Sequence, residues 1–236
     1  ALTGADNAAA GGRFYQALAA PGMSYICEVK KASPSKGLIA PDFPYLEIAK
    51  EYEAAGASAI SCLTEPFYFQ GANQYLKEIT DTVGIPVLRK DFTVDEYMIY
   101  QAKTLGASAV LLICAILDKV QLRDYRQLAE SLGLDALVEA HDETEVKMAL
   151  DIGAKIVGVN NRDLKTFQVD MQNSIRLRNL APREVLFVSE SGIKGPEEIS
   201  ILREHQVDAV LIGETLMRST DKKAELERLN GSPLKR

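Results

Sequence analysis

The sequence is poor in the side chains that bind metal ions or form disulfides. Its 236 residues include three cysteines and two histidines. Cys27, Cys62 and Cys114 lie far apart, each in an apolar run with no CxxC pair, so we expect three buried, reduced thiols. His141 and His205 lie in unrelated segments without metal-ligand spacing. We therefore expect neither a metal site nor a histidine-dependent catalytic triad.

Long apolar runs and a net positive charge are also missing. No run approaches the roughly 20 apolar residues that a membrane helix needs, and no charged-then-apolar signal segment opens the chain. We therefore expect a soluble, cytoplasmic protein without a membrane partner. The net charge of −6 argues against a nucleic-acid partner, which needs a basic face. An anionic substrate would have to be attracted by a few local cations.

What the sequence does contain is one pattern that repeats along the chain. Short aliphatic or β-branched runs alternate with longer amphipathic stretches. The apolar runs span residues 24–30, 59–65, 86–91, 109–116, 136–142, 156–163, 185–192 and 209–214. The helical patterns span 13–20, 45–56, 95–106, 122–133, 142–153, 195–206 and 221–230, and several of them begin near an acidic residue and end in glycine.

Eight strands in alternation with helices predict a closed (β/α)8 barrel, a TIM barrel of parallel strands joined by right-handed crossovers. The alternative is an open doubly wound sheet, which usually carries a glycine-rich turn after its first strand, but the GxGxxG motif is absent. No linker or low-complexity segment divides the chain. We therefore expect a single α/β domain over residues 1–236, with an N-terminal extension at 1–23, the barrel at 24–230 and a tail at 231–236.

Charged and amide residues stand at the carboxyl ends of the predicted strands, where barrel enzymes hold their catalytic groups. Glu28 and Lys30 share one face of the first strand because side chains alternate along a strand. The other strand ends carry Glu65, Lys90, Asp91, Glu139, Asn160, Asn161, Arg162, Glu190, Ser191, Gly213 and Glu214. Any one of these residues alone could lie on a solvated rim. Together they predict an active site, since ionised groups that converge on one mouth must pair or function.

Two glycine-containing segments predict a phosphate site at the same mouth. SESG, residues 189–192, and LIGE, residues 211–214, end the seventh and eighth strands. Barrels often bind phosphate at this position through backbone N–H groups and the N-terminus of a short helix, for which residues 214–218 are the candidate. Gly192 and Gly213 would let the backbone approach the anion closely.

These segments together resemble one known enzyme family. EVKKASPSKG (28–37), LTEPFYFQG (63–71), VLRKDF (87–92), ALVEAHDE (136–143), GVNNRDLKTF (158–167), VSESGI (188–193) and LIGETLMR (211–218) are similar, in this order, to motifs of indole-3-glycerol phosphate synthase. The resemblance implies a phosphorylated small-molecule substrate, 1-(2-carboxyphenylamino)-1-deoxyribulose 5-phosphate. It also implies closure of the indole ring with loss of carbon dioxide and water, in tryptophan biosynthesis, with no cofactor or metal ion.

The resemblance further implies roles for individual residues. Lys90 resembles the general acid that protonates the ribulose carbonyl oxygen, and Glu139 resembles the general base of the later dehydration. Lys30 resembles a second cation at the substrate, and the division of acid roles between the two lysines stays open. The remaining implied residues are Glu28, Asn160 and Glu190 for orienting the lysines and sugar hydroxyls, Ser33 and Arg162 near the anthranilate carboxylate, Ser191, Gly192, Gly213 and Glu214 for the phosphate, and Phe69, Phe92 and Leu164 beside the aromatic ring.

Carbonyl protonation favours an acid whose pKa lies near the working pH. We expect flanking cations and partial burial to lower the pKa of the active-site lysine, against nearby carboxylates that raise it. The chain departs from the family in its first segment, since 23 residues precede Ser24 and family members usually carry more. We therefore expect a shortened N-terminal extension that covers the substrate less completely.

Two other functions remain open from the sequence. One is a sugar-phosphate isomerase of the phosphoribosylanthranilate isomerase type, which would typically need a cysteine or aspartate acid–base pair at the first and fifth strands, where this chain has Glu28, Lys30 and Glu139. The other is a catalytically silent barrel that serves as an interaction partner, which the presence of Lys90 and Glu139 disfavours. For the assembly we expect a monomer or a weak homo-oligomer.

Overall fold

The computed structural model describes residues 11–163, 166–232 and 234. Its strands are β1 Ser24–Val29, β2 Ala32–Ser33, β3 Gly37–Leu38, β4 Ala59–Leu63, β5 Val87–Lys90, β6 Ala109–Ile113, β7 Asp135–Ala140, β8 Ile156–Asn160, β9 Leu186–Glu190 and β10 Ala209–Ile212. Its helices are α1 Arg13–Leu18, α2 Tyr45–Ala55, α3 Asn73–Thr82, α4 Glu96–Thr104, α5 Lys119–Ser131, α6 Glu143–Asp151, α7 Gln172–Arg178, α8 Pro196–Glu204, α9 Glu214–Arg218 and α10 Lys222–Asn230.

Eight of the strands close into one parallel barrel. The order around it is β1, β10, β9, β8, β7, β6, β5 and β4, and β4 pairs with β1 to complete the ring. Each of the eight predicted apolar runs overlaps one of these strands. The predicted (β/α)8 barrel is therefore confirmed, and the open doubly wound sheet is excluded.

The first helix closes one end of the barrel. Phe14 and Leu18 of α1 are buried in the apolar cluster that fills the barrel interior, beside Ile26 and Leu88. The backbone N–H groups of Gly12 and Tyr15 donate to the carboxylate of Asp135, at the start of β7, over 2.7 and 2.9 Å. The amino-terminal ends of the strands are thus covered, which leaves the opposite mouth open for ligands.

Acidic caps and glycine stops fix several helices, as the sequence pattern predicts. Asp95 and Asp142 accept hydrogen bonds from backbone N–H groups in the first turns of α4 and α6. Gly56, after α2, has φ of +94°, a left-handed conformation that glycine adopts without strain. Within the described part of the chain, no helix combines the length and the apolar character needed to cross a bilayer.

Three small elements were not predicted. Helix α3 begins after Ala72 without a side-chain cap and ends at Val83 without a glycine stop, and α7 has only seven residues. The predicted cover loop after β1 contains the antiparallel hairpin of β2 and β3, in which Ser33 pairs with Gly37. The predicted short helix 214–218 is present as α9.

Candidate active site

The open mouth of the barrel brings charged residues together directly above the apolar interior. On four strands the side chain two positions before a predicted catalytic residue belongs to the interior cluster. The pairs are Ile26 and Glu28 on β1, Leu88 and Lys90 on β5, Leu137 and Glu139 on β7, and Val188 and Glu190 on β9. Because side chains alternate along a strand, each charged residue faces inward one layer above its apolar partner.

A cavity of about 690 Å³ opens at this mouth. Most of the residues predicted for the site line it, namely Glu28, Lys30, Ser33, Phe69, Lys90, Asn160, Arg162, Glu190, Ser191, Gly192, Gly213 and Glu214. Glu139 lies behind Lys90, outside the lining, and Phe92 lies beside the cavity without lining it. Leu164 lies outside the described residues.

Lys90 lies at the centre of the cluster. Its Nζ is 3.2 Å from Glu139 Oε2 and 3.4 Å from Glu190 Oε2, and both carboxylates are buried. Burial alone would lower the pKa of this ammonium, but the charges of Glu139, Glu190 and Glu28 outweigh burial and raise the pKa above its usual range. The expectation of a lowered lysine pKa is therefore wrong for Lys90, because the carboxylates determine its charge state.

The two carboxylates beside Lys90 carry different charges. Burial raises the pKa of Glu190 to about 8, against the attraction of Lys90 and with further repulsion from Glu139 and Glu28. Burial also disfavours the charge on Glu139, but the cations of Lys90 and His141 outweigh it and lower the pKa of Glu139. At neutral pH the pair therefore holds one proton, on Glu190, and Glu139 is ionised.

Glycine leaves the space that Glu190 occupies. Gly158 on β8 lies next to Glu139 in the sheet register, and a Cβ at Gly158 would come within 2.3 Å of Glu190 Oε1. That oxygen is buried and has no hydrogen-bond partner among the described residues. A side chain at this position would push Glu190 out of its place beside Lys90.

A second ion pair lies on β1. Lys30 Nζ is 2.6 Å from Glu28 Oε1, and Lys30 is 16% exposed at its side chain, so it faces the cavity. The backbone of Gly213 packs closely against this pair, since a Cβ there would meet Glu28 Oε1 at 2.4 Å and Lys30 Nζ at 2.8 Å. The absence of a side chain at Gly213 thus allows both charged groups to reach the cavity.

The ends of β9 and β10 form the polar side of the cavity. Ser191 and Gly192 have φ of +68° and +90°, so two successive residues turn the backbone in the left-handed region. The buried Asn161 side chain donates to the Ser191 carbonyl over 3.1 Å and holds this turn to β8. Consecutive N–H groups in such turns favour anions. Lys36 also lines the cavity, 3.5 Å from Glu214.

The apolar side of the cavity is built on the loop after β4. Glu65 accepts hydrogen bonds from the backbone N–H groups of Phe67, Tyr68 and Phe69, so this buried carboxylate shapes the loop. Phe69 lines the cavity, and the Phe92 ring packs against it with centroids 6.2 Å apart. Phe92 therefore supports the aromatic wall from behind.

Arg162 borders the same cavity from the loop after β8. Its backbone N–H donates to Asn160 Oδ1 over 3.1 Å, and its guanidinium donates to the Phe167 carbonyl over 3.1 Å. Both contacts hold the arginine at the mouth. Within the described residues, no group of three or more histidine, cysteine, aspartate or glutamate side chains could hold a metal ion.

A family model described as indole-3-glycerol phosphate synthase matches residues 4–229 of this chain. The chain belongs to this family. The indole-3-glycerol phosphate synthase of Ruminiclostridium cellulolyticum is 63% identical over 210 residues, which cover 89% of this chain and 81% of that protein. The indole-3-glycerol phosphate synthase of Lachnoclostridium phytofermentans is 54% identical over 216 residues, which cover 92% of this chain and 80% of that protein.

Membership of the indole-3-glycerol phosphate synthase family makes the chain a decarboxylating lyase of tryptophan biosynthesis that acts on a small phosphorylated substrate. The resemblance drawn from the motifs is therefore confirmed. Solved structures support the fold alone. The 3-hexulose-6-phosphate synthase of Salmonella typhimurium has a TM-score of 0.72 at 13% identity, over 89% of this chain and 97% of that one.

Sequence reasoning missed several residues of this indole-3-glycerol phosphate synthase site. Lys194 and Arg218 line the cavity, but each follows its strand by several residues, so strand-end reasoning does not reach them. His141 contacts Glu139, with Nε2 3.5 Å from Glu139 Oε1. The signal for His141 was present, since it stands two positions after Glu139 and therefore on the same face of the chain.

Proposed function

We propose that this chain closes the indole ring of 1-(2-carboxyphenylamino)-1-deoxyribulose 5-phosphate at the cluster around Lys90. The observation that carries the proposal is the ammonium of Lys90 held between Glu139 and Glu190 on the floor of a cavity with a polar and an apolar side. This arrangement places an ionised base, Glu139, and a protonated carboxyl group, Glu190, in direct contact with a protonated ammonium group.

Lys90 acts first, as the general acid at the ribulose carbonyl. Its raised pKa keeps it protonated throughout the neutral range, so the resting enzyme has an ammonium proton to donate. The ring carbon that bears the carboxylate attacks the carbonyl carbon, and the carbonyl oxygen takes a proton from Lys90 as it becomes strongly basic. The bond to the carboxylate then breaks, carbon dioxide leaves, and its electron pair restores the aromatic ring.

Glu139 acts second, as the general base of the dehydration. The new hydroxyl group takes a second proton, from Lys90 once its ammonium has been restored, and leaves as water, while Glu139 removes a proton from the methylene carbon beside the nitrogen. The lowered pKa of Glu139 keeps it ionised and ready for this step. Lys30, paired with Glu28, is the second cation toward the substrate oxygen, and Asn160 and protonated Glu190 orient the sugar hydroxyls.

The remaining contacts hold the two ends of the substrate in place. The substrate phosphate lies at the backbone of Ser191, Gly192, Gly213 and Glu214, with Lys36 beside it. The aromatic ring packs against Phe69, which Phe92 contacts in turn, and its carboxylate lies toward Arg162 and Ser33. Fixing both ends supplies the alignment that ring attack requires.

Indole fluorescence tests the proposal directly, because the chain contains no tryptophan and product emission is read without that background. Incubation with the carboxyphenylamino deoxyribulose phosphate should give a growing indole signal together with one equivalent of carbon dioxide. A folded chain that gives no indole signal at high concentration contradicts the assignment. Isomerisation without carbon dioxide release would instead indicate the phosphoribosylanthranilate isomerase type of reaction.

The same proposal covers the assembly and the setting of the enzyme. Residues 1–236 act as one domain in the cytoplasm, as a monomer or weak homo-oligomer, without a cofactor. The net charge of −6 supports the absence of a nucleic-acid partner. Sedimentation at concentrations around and above those of the activity assay measures the assembly, and a stable large oligomer would contradict this part of the proposal.

A further inference from the structure

His141 is a half-buried titratable residue that the mechanism above does not use. It follows β7 directly, and its backbone N–H donates to Glu145 Oε2 over 2.7 Å. Its ring Nδ1 lies 3.1 Å from the same oxygen, while Nε2 lies 3.5 Å from Glu139 Oε1. Nε2 is buried and has no hydrogen-bond partner within the described residues, so Glu139 is its neighbour by charge and proximity. The imidazole therefore has one nitrogen toward each of two carboxylates.

The two nitrogens face different surroundings. Glu139 is buried in the cluster that also contains Lys90. Glu145 and His141 have side chains 19% and 18% exposed, and both line a second cavity of about 1120 Å³ beside the catalytic one. Asn160 borders both cavities. The imidazole thus stands between a solvent-accessible cavity and the buried acid–base cluster.

The proposed reaction needs a proton from solvent in every turnover. The carbonyl oxygen leaves as water after taking two protons, and only one proton returns to the site, from the methylene carbon. The carboxylate leaves as neutral carbon dioxide, and one additional proton is consumed to balance the negative charge that the carboxylate carried. One proton per turnover must therefore reach the cluster from outside. This inference rests on the proposed function.

We propose that His141 is the entry point for that proton. The imidazolium releases its Nε2 proton to the Glu139 carboxylate, and Glu139 passes the proton to the neutral amine that catalysis leaves on Lys90. The ring keeps its proton on Nδ1, so the nitrogen to be reprotonated is Nε2. The ring therefore rotates about its Cβ–Cγ bond, Nε2 takes a proton from solvent in the second cavity, and the ring rotates back to its contact with Glu145. No bond other than those to hydrogen changes, and each group ends the cycle as it began. His141 is a positioning and relay residue that acts on the reaction through Glu139.

The charges around His141 favour this role. Burial alone would lower the pKa of the ring, but the hydrogen bond with Glu145 and the charges of Glu139, Glu145 and Glu190 outweigh burial and raise the pKa. The ring is therefore charged further into the neutral range than an ordinary histidine. The other charged residues that line the second cavity are Asp142, Arg162, Asp163, Asp170 and Arg176.

Replacement of the imidazole tests the relay. His141→Ala should lower kcat on the order of 10²-fold with little change in KM, because proton supply rather than substrate binding is lost. Added imidazole should restore part of the rate, and substituted imidazoles should do so in an order set by their pKa values. Wild-type kcat should fall on the alkaline side as the ring loses its charge, and His141→Ala should lack that limb. His205→Ala is the matched control, because His205 is exposed at the end of α8.

A second measurement needs no turnover. In His205→Ala, His141 is the sole histidine of the chain, so NMR follows its ring alone. Its pKa should lie above the usual value of about 6.5, and Glu139→Gln should lower it. If the His141 pKa lies at its usual value in His205→Ala both with and without Glu139→Gln, the relay is overturned, even if His141→Ala fails to fold.

The outcomes separate the relay from the proposed function. If wild-type protein forms no indole product, the proposed function fails, whatever the NMR titration gives. If wild type is active and folded His141→Ala matches its rate and pH profile, the relay is overturned and the function stands. A slow variant that no imidazole rescues, with an unchanged pH profile, assigns His141 a structural role and also overturns the relay.

Discussion

Glu139 and Glu190 are both carboxyl side chains beside Lys90, yet Glu139 is ionised and Glu190 is protonated at neutral pH. Glu139 faces two cationic groups, Lys90 and His141, whereas Glu190 has Lys90 alone and two carboxylates as neighbours. The difference separates their pKa values in opposite directions. Pairs of carboxyl groups separated in this way are typical of sites that need an acid and a base at one pH.

The position of Glu190 depends on a residue that has no side chain. Gly158→Ala should push the Glu190 carboxylate away from Lys90, since the new Cβ would lie 2.3 Å from Glu190 Oε1. We expect turnover to fall at least about tenfold, a loss of about 1.4 kcal/mol in transition-state stabilisation, with the fold retained. Steady-state kinetics and circular dichroism measure the two quantities.

Gly84→Ala is the matched control for that change. Its Cβ would meet only the flexible end of Glu53, at 3.2 Å, in the turn before β5 and far from the mouth. Its turnover should match that of the wild type. A Gly158→Ala variant with the turnover of the wild type would contradict the claim that catalysis depends on the position of Glu190.

Which residues face the mouth could be predicted from the sequence, but their charge states could not. Two-residue alternation along short strands suffices to place Glu28, Lys90, Glu139 and Glu190 on the inward face. The pKa of Lys90 depends on three carboxylates from strands up to about 100 residues away in the chain, at distances that only the closed barrel defines. The predicted effect of flanking cations failed for that reason.

At the scale of elements, predictability followed the strength of each pattern. The barrel strands are continuous apolar runs because both faces are covered, so all eight could be recognised. Helix α3 escaped prediction because it lacks the acidic cap and the glycine stop that mark several other helices, and α7 because it is short. The β2–β3 hairpin has two residues in each strand and gives no periodic signal.

Helix α1 serves stability rather than chemistry. Phe14 is fully buried at the closed end of the barrel, so Phe14→Ala should lower the free energy of unfolding by about 3–5 kcal/mol. Turnover at low temperature should stay close to wild type, because the helix lies at the end opposite the cavity. Denaturant unfolding measures the first quantity and the indole assay the second.

Tyr97→Ala is the aromatic control for that prediction. Tyr97 is 66% exposed on α4, and its loss should change stability by less than about 0.5 kcal/mol. A Phe14→Ala variant as stable as Tyr97→Ala would show that α1 does not seal the barrel.

At the scale of the whole molecule, the barrel separates two tasks along its axis. One end is closed by an apolar helix and the Asp135 contacts, and the other gathers charged residues from β1, β5, β7 and β9, with the amide Asn160 of β8, above the interior core. A rigid, closely packed interior below the site holds these groups at fixed distances. Helices α2 to α8 and α10 cover the outside of the same strands.

The central claim is that Lys90 supplies the proton that allows the ring to close. Lys90→Met keeps an unbranched side chain, one atom shorter, and removes its charge, and Lys103→Met does the same on the exposed face of α4. Steady-state indole formation by the two variants tests the claim most directly. We expect Lys90→Met to lose about 10²- to 10⁴-fold in kcat while Lys103→Met keeps the wild-type rate. A Lys90→Met variant that forms product at the wild-type rate would contradict the account.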